Sequence, residues 1–240
     1  IFSVPAIYIL RKSRKEIFIL IFFLLLPTIF FSYGVIYKKN FLSNEVKRNP
    51  YLIRVIGSNI SLDRYYTNTN TESVINELIR ISSPDQNIKT FFLWPEGIIP
   101  NVYQDELYLY DDLFVNNFNN KHIIGLGITS RLLNGKNYQY FNSFSIFNNN
   151  LDLITSYNKI NLVPFGEFLP LENFLNKIGL KIISSNISSF TKGKKRKNIK
   201  IGNHHQEFKF LPLICYEIIY SGKLTNDFNF NYIFNISEDG

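Results

Sequence analysis

Cysteine and methionine are nearly absent from this sequence of 240 residues, which has one Cys and no Met. A single Cys excludes a disulfide framework and a metal cluster held by thiolates. Because residue 1 is Ile, we expect a sequence that lacks its natural start. Charged residues are few, at 19% against 45% hydrophobic residues, and this balance excludes a disordered chain.

Acidic residues are outnumbered, so the formal net charge is +7, which is compatible with nucleic-acid or membrane partners. Residues 1–49 hold eight basic and two acidic side chains, and residues 191–200 hold six basic and no acidic ones. The remaining residues carry a net charge of −5, which argues against a nucleic-acid-binding surface. The second group predicts either contact with anionic lipid head groups or a solvated loop; it contains Lys192, Lys194, Lys195, Arg196 and Lys197.

A long apolar run near the start predicts a transmembrane helix. Residues 17–37 contain no charge over 21 positions, enough to cross about 30 Å of hydrocarbon at about 1.5 Å per residue. Pro27 is tolerable inside a membrane helix. A secretory signal peptide is the alternative, but residues 1–10 are also apolar and no small-residue cleavage site follows the run.

The basic stretch RKSRKE at 11–16 predicts the orientation of this helix. Four basic residues in six place the stretch on the cytoplasmic side, and the residues after Tyr37 outside. Lys38, Lys39 and the basic pair at 47–48 oppose this orientation. We predict a membrane region over 1–48, made of the end of one transmembrane helix, the loop 11–16, the helix 17–37 and a connector.

From residue 49 onward the pattern is typical of a globular domain, predicted over 49–240. Strands alternate with helices at first, and then several strands follow in series, which predicts an α/β sheet with antiparallel hairpins inserted. Helical patterns cover 71–82, with Thr71 as the cap, and 105–118 and 171–178. Apolar runs predict strands at 51–57, 90–94, 122–128, 140–147, 151–157, 207–214 and 232–237.

The lone Cys215 ends an apolar strand in the segment PLICYE. Taken alone, it is expected to pack in the core, because free cysteine usually behaves as a small hydrophobe. The strand that runs into a helical stretch, however, is similar to a nucleophile elbow, in which the helix N-terminus favours a thiolate.

Two other strand ends carry charged residues. Glu96 follows a strand in WPEGIIPN, where α/β folds build their sites, although it could be a solvated turn residue. Lys159 precedes NLVPFGEFLP and would ordinarily be a surface lysine. The Pro, Gly and apolar residues that follow it, together with Glu167, are typical of an ordered loop.

These strand ends supply a base, a cation and a thiol. A thiol needs a base to become a nucleophile, and a tetrahedral intermediate needs a cation or N–H groups to hold its oxyanion. Glu96, Lys159 and Cys215 meet those needs without histidine. No metal-binding spacing is present, and no cofactor is expected.

The segments WPEGIIPN, YNKINLVPFGEFLP and LPLICYEIIY, in this order, resemble the bacterial apolipoprotein N-acyltransferase family. This family is a membrane-embedded branch of the nitrilase, or carbon-nitrogen hydrolase, superfamily. The resemblance covers residues 51–240. It implies a four-layer αββα sandwich, incomplete at its C-terminus and preceded by a transmembrane helix.

The resemblance also implies site residues. Glu96 would be the general base, Lys159 the oxyanion-stabilising cation and Cys215 the nucleophile. Supporting roles would fall to Glu167, which matches a second family glutamate, and to Tyr216 and Glu217, which follow the nucleophile. The N–H of Tyr216 would be a second oxyanion donor. Tyr66 stands near the position of a family Trp and would contact lipid, and Ser61 stands where the family has Pro.

The implied reaction is a two-step acyl transfer from a phospholipid, through a thioester on Cys215, to the amine of a diacylglyceryl-cysteine lipoprotein. The partners would be these two lipid-anchored substrates and the membrane, and no nucleic-acid partner is expected. The protein would be a monomer in the bacterial inner membrane, with its catalytic domain facing the periplasm.

The resemblance further implies that both ends are truncated, so the 240 residues alone are expected to be inactive. Two alternatives remain: a nitrilase-type amidase for a small substrate, disfavoured by the apolar run 17–37, and a non-enzymatic membrane-anchored binding module in which Cys215 is a core residue.

Overall fold

The computed structural model describes residues 14–43, 50–61, 70–170, 189–203, 206–220 and 224–238. Spatial contacts divide the chain into two compact units, Ile1–Arg48 and Asn49–Gly240. In the first unit, helix α1 spans Arg14–Ser43 with Pro27 inside it. Its segment Ile17–Ser43 is long and apolar enough to cross a membrane. The helix thus continues past residue 37, because Lys38 and Lys39 are good helix formers.

The described part of the second unit contains two sheets. Its strands are β1 (Leu52–Val55), β2 (Thr90–Leu93), β3 (His122–Asn134), β4 (Asn137–Asn148), β5 (Leu153–Asn158), β6 (Ile199–Asn203), β7 (Gln206–Ile214) and β8 (Tyr232–Ile236). Its helices are α2 (Thr71–Ser82) and α3 (Asp111–Asn117), with 3₁₀ helices at Gln104–Tyr110 and Cys215–Ile219.

The first sheet has the strand order β1-β2-β3-β4-β5, and the second has the order β6-β7-β8. Strands β1, β2 and β3 are parallel, while β4 pairs antiparallel with both β3 and β5. Strands β2 and β5 therefore run in the same direction, and their C-terminal ends lie at the same edge of the sheet. In the second sheet, β7 is antiparallel to β6 and parallel to β8.

Strand β2 shows how the layers arise, because successive side chains of a strand point to opposite faces. Phe91 and Leu93 join the apolar cluster between the two sheets, which includes Phe210 and Phe234 of the second sheet. Phe92 joins the cluster on the other face. A strand buried on both faces is apolar throughout, as in the sequence TFFL.

Helices cover the outer face of the first sheet. Leu78 of α2 and Phe114 of α3 belong to the same apolar cluster as Phe92. One helical layer and two sheets, three layers of the predicted αββα sandwich, are thus present in the described residues.

Besides the bounds of individual strands, three details differ from the sequence-based expectations. Asn70, not Thr71, caps α2: its Oδ1 accepts from the N–H of Glu72 at 2.9 Å, whereas the Thr71 hydroxyl is buried and donates to the carbonyl of Pro100 at 3.1 Å. The helix predicted at 105–118 is a 3₁₀ helix followed by α3. Strand β6 was not predicted, because its sequence IKIGN follows the basic run. The helix predicted at 171–178 lies outside the described residues.

Candidate active site

Three strand ends contribute a charged or nucleophilic side chain to one cavity. Glu96 follows β2 and Lys159 follows β5, so both lie at the same edge of the first sheet. Cys215 follows β7 of the second sheet. The three side chains line a cavity of about 1050 Å³, together with the apolar side chains of Ile99, Val102, Ile128, Val163 and Phe190.

The Glu96 carboxylate is fixed by two donors. Its Oε1 accepts from Nδ2 of Asn142 at 2.6 Å and from Nζ of Lys159 at 3.3 Å. The backbone N–H of Glu96 donates to the carbonyl oxygen of Ser237 at 3.3 Å, which joins the end of β2 to the end of β8. The side chain keeps 13% exposure, so the carboxylate is positioned and still reachable from the cavity.

The Lys159 ammonium is almost fully buried, at 1% exposure, between two carboxylates. It donates to Oε1 of Glu167 at 2.9 Å and contacts Glu96 as described. Burial disfavours the ammonium, but the charge of Glu96 and the hydrogen bond and charge of Glu167 outweigh it. The pKa of Lys159 is therefore raised, and the side chain stays positively charged.

Glu167 and Asn142 hold this arrangement in place. Glu167 accepts from the N–H of Val163 at 2.8 Å through Oε2, so the loop after β5 folds back towards Lys159. Asn142 on β4 donates from Nδ2 to Oε1 of both Glu96 and Glu167, at 2.6 Å each. Sequence reasoning missed Asn142, because an Asn inside the strand YFNSFSIF carries no local signal of its function.

The backbone of Cys215 lies in the left-handed region, with φ of 49°, which is uncommon for a residue other than Gly and is typical of functional sites. We expected a helix dipole to favour the thiolate, and this expectation was wrong. The helix that begins here is a 3₁₀ helix of five residues. Burial and then the charge of Glu96 raise the pKa of the Cys215 thiol, against the opposing effect of Lys159.

The two residues after Cys215 face different surroundings. The backbone of Tyr216 forms a hydrogen bond with Cys215, and its side chain is exposed. The Glu217 side chain is fully buried and does not line the cavity. Its Oε1 accepts from the hydroxyl of Tyr157 at 2.8 Å and from a guanidinium nitrogen of Arg196 at 2.6 Å.

The side chains of the basic run 192–197 differ in their exposure to solvent. Its four lysines are exposed, but Arg196 has only 6% side-chain exposure, so the expectation of lipid contact or solvation was wrong for this residue. Tyr66 lies outside the described residues. Within the ranges that the structure describes, no three His, Cys, Asp or Glu side chains are grouped so as to hold a metal ion.

Curated relatives of the chain share one name. The chain is 29% identical over 245 residues to the apolipoprotein N-acyltransferase of Wigglesworthia glossinidia brevipalpis, and the match covers 95% of the chain and 44% of that protein. It is 28% identical to the enzyme of the same name from Caulobacter vibrioides, over 79% of the chain and 37% of that protein. The chain is homologous to the apolipoprotein N-acyltransferases. It spans less than half the length of these relatives, and no family model matches it.

Solved structures similar to this apolipoprotein N-acyltransferase homologue include members of the nitrilase superfamily. An amidase of that superfamily from Nesterenkonia AN1 has a TM-score of 0.43 at 11% identity, covering 74% of the chain and 60% of the amidase. A Saccharomyces cerevisiae member of branch 10 of the nitrilase superfamily has a TM-score of 0.38 at 19% identity, covering 64% of the chain and 53% of that protein. The described residues confirm the predicted α/β class, with two sheets and a long apolar N-terminal helix.

Proposed function

We propose that this chain carries the acyl-transfer site of an apolipoprotein N-acyltransferase, with Cys215 as nucleophile, Glu96 as general base and Lys159 as oxyanion-stabilising cation. One observation carries the proposal: a thiol, a carboxylate and a buried ammonium share a cavity that has apolar walls. An apolar wall suits a fatty acyl chain, and the cavity of about 1050 Å³ is at the upper end of the range for ligand pockets.

In the first step, Glu96 takes the proton of the Cys215 thiol, and the sulfur attacks the carbonyl carbon of a phospholipid acyl ester. The tetrahedral intermediate collapses with cleavage of the ester C–O bond. Glu96 returns the proton to the glyceryl oxygen that leaves, so a lysophospholipid departs and the acyl chain remains as a thioester. A base is needed because the pKa of the thiol is raised.

In the second step, the α-amino group of a diacylglyceryl-cysteine lipoprotein attacks the thioester carbonyl. Glu96 accepts a proton from the attacking amine, and the C–S bond breaks to give an amide and the Cys215 thiolate. Transfer of that proton from Glu96 to the thiolate restores the starting state.

The oxyanion of each tetrahedral intermediate would bind the Lys159 ammonium and the backbone N–H of Tyr216. Lys159 suits this role because its pKa is raised and its position is fixed by Glu96 and Glu167. The Tyr216 backbone also lowers the pKa of the Cys215 thiol, which supports its role as a donor near the sulfur.

Helix α1 would hold the enzyme in the bacterial inner membrane, where both lipid-anchored substrates reside. The basic residues at 11–16 would remain cytoplasmic, so the domain over 49–240 would lie in the periplasm. The enzyme would act as a monomer. Tyr66 would contact the lipid substrate.

The decisive experiment is mass spectrometry of the full-length protein after incubation with phospholipid vesicles. We expect an added mass of one fatty acyl group on the peptide that contains Cys215, lost on addition of a diacylglyceryl lipopeptide. Cys215→Ala should carry no adduct. An intact, folded protein without the adduct would contradict the proposal, and release of ammonia from a small amide would favour the amidase alternative.

A further inference from the structure

Arg196 differs from the lysines around it, because its guanidinium is buried and each of its nitrogens has a partner. Nη2 donates to Oε1 of Glu217 at 2.6 Å, Nε donates to the hydroxyl of Tyr157 at 3.0 Å, and Nη1 donates to the carbonyl of Leu224 at 2.7 Å. The side chains of Arg196 and Glu217 have 6% and 0% exposure, so this ion pair is shielded from solvent. Four neighbouring lysines in the same run extend into solvent.

The Glu217 carboxylate connects the segments that carry two of the proposed catalytic groups. Oε2 accepts from the N–H of Ile214 at 3.0 Å, directly before Cys215. Oε1 accepts from the N–H groups of Ile160 and Asn161 at 3.0 Å each, directly after Lys159. One carboxylate therefore joins the end of β7 in the second sheet to the end of β5 in the first.

A carboxylate buried in this way is costly unless a positive partner and several donors satisfy it. Arg196 is the positive partner, and its planar guanidinium suits a fixed geometry better than a lysine ammonium does. Without Arg196, Glu217 would keep its backbone donors but lose the charge that makes its burial tolerable. The hydrogen bonds by which Glu217 connects the Lys159 and Cys215 segments would then weaken.

We infer that Arg196 is a positioning residue of the acyl-transfer site, which acts through Glu217 to fix the spacing between Lys159 and Cys215. The inference rests on the proposed function, because it takes Cys215 as the nucleophile and Lys159 as the cation. Arg196 does not line the cavity and does not touch the reacting atoms.

The test compares Arg196→Met with Arg54→Met in the full-length protein. Arg54 is a matched control: its guanidinium donates to the carbonyls of Ser82 and Ser83 at the opposite edge of the first sheet. In each variant, the rate at which iodoacetamide alkylates Cys215 is measured against pH, and kcat and KM are measured with phospholipid vesicles and a diacylglyceryl lipopeptide.

Arg196→Met should shift the midpoint of the alkylation profile by up to about one pH unit, because the sulfur moves relative to the paired charges of Glu96 and Lys159, which act on its pKa in opposite directions. It should lower kcat about 100-fold, as expected for a misplaced reacting group, with little change in KM. Arg196→Lys should bring both the alkylation midpoint and kcat part of the way back to their wild-type values. Arg54→Met should keep the wild-type midpoint and kcat, even where it lowers the melting temperature.

A folded Arg196→Met protein with the wild-type midpoint and kcat would overturn the inference. If that variant does not fold, Tyr157→Phe decides, because it removes one hydroxyl that contacts both Glu217 and Arg196: a shifted midpoint supports the inference and an unchanged one refutes it. Alkylation needs no lipid. A wild-type protein that transfers no acyl group would therefore refute the proposed function, while the alkylation midpoints would still decide whether Arg196 positions Cys215.

Discussion

The side-chain amide of Asn142 donates a hydrogen bond to Glu96 at 2.6 Å. The same nitrogen lies 2.6 Å from Oε1 of Glu167, so two carboxylates share one neutral donor. Lys159 contacts the same two oxygens. The amide thus holds two like charges at a fixed distance on either side of the ammonium, and it adds no charge of its own.

Replacement of Asn142 tests this arrangement. Asn142→Ala leaves both carboxylates short of a donor and should cost about 1–3 kcal/mol of folding free energy. Asn142→Asp should be worse, because it adds a third negative charge beside the other two. Both should lower kcat for acyl transfer about 100-fold through the misplaced Glu96. Thermal unfolding and kcat of the full-length protein are the measurements.

Asn148→Asp is the control for the added charge. Asn148 donates to the Asp152 carboxylate at 2.8 Å in an exposed turn, so the same chemical change there meets solvent screening. It should leave kcat unchanged. An Asn142→Asp protein as stable and active as Asn148→Asp would show that the shared amide is unimportant.

The residues that sequence reasoning placed in the site are those that follow strands. Glu96, Lys159 and Cys215 each end an apolar run, and the edge of an α/β sheet collects such residues. Asn142 was missed because it lies within a strand. The burial of Arg196 was not predicted, and the residue was grouped with the four lysines of its basic run. Its contact with Glu217, 21 residues away, depends on how the two sheets pack. Strand β6 was missed for a different reason, because its short sequence IKIGN directly follows the basic run.

The charges beside Cys215 predict opposite effects on its ionisation. Glu96→Gln removes a charge that raises the pKa of the thiol, so the midpoint of alkylation by iodoacetamide should fall by about one pH unit. Lys159→Met removes a charge that lowers the pKa, so the midpoint should rise by a similar amount. The measurement is the alkylation rate of the Cys215 peptide against pH, read by mass spectrometry.

Glu72→Gln is the control for this experiment, because Glu72 is exposed on α2 and does not line the cavity. It should leave the midpoint unchanged. Shifts of Glu96→Gln and Lys159→Met in the same direction would contradict the arrangement of charges around the sulfur. Acyl transfer should also fall at least 100-fold in Glu96→Gln, which lacks the proposed base.

The raised pKa of Lys159 predicts how stability depends on alkaline pH. A group whose folded pKa exceeds its unfolded value stabilises the folded state fully below the unfolded value, about 10.5 for lysine, and loses this contribution as pH rises through the folded pKa. The raised pKa of Cys215 acts with the same sign from about 9.0 upward. The melting temperature should therefore fall more steeply above pH 10 in the wild type than in Lys159→Met.

Lys121→Met is the matched lysine control, because the Lys121 ammonium contacts the carbonyl of Asn87 rather than a carboxylate. Its melting temperature should follow the wild-type dependence on pH. If the melting temperatures of the wild type and of Lys159→Met fell equally steeply with pH above pH 10, Lys159 would gain no stabilising charge contacts on folding.

Strand β3 passes so close to Glu96 that a side chain at Gly127 would overlap the Glu96 backbone. The N–H of Gly127 also donates to the carbonyl of Pro95 at 3.1 Å, which keeps the two segments together. Gly127→Ala should therefore displace the Glu96 segment from its place beside β3. We expect kcat to fall about 100-fold, with a lower melting temperature.

Gly34→Ala is the control for Gly127→Ala, because an added methyl group at Gly34 in α1 meets no atom within 4 Å. This change should preserve kcat, and Ala is the better helix former. The alkylation midpoint of Cys215 separates displacement of Glu96 from general damage. Gly127→Ala should lower that midpoint, because the negative charge of Glu96 recedes from the thiol. An unchanged midpoint in folded protein would show that Glu96 keeps its place, and a raised midpoint would show that its charge does not recede from the thiol; either result would contradict the prediction.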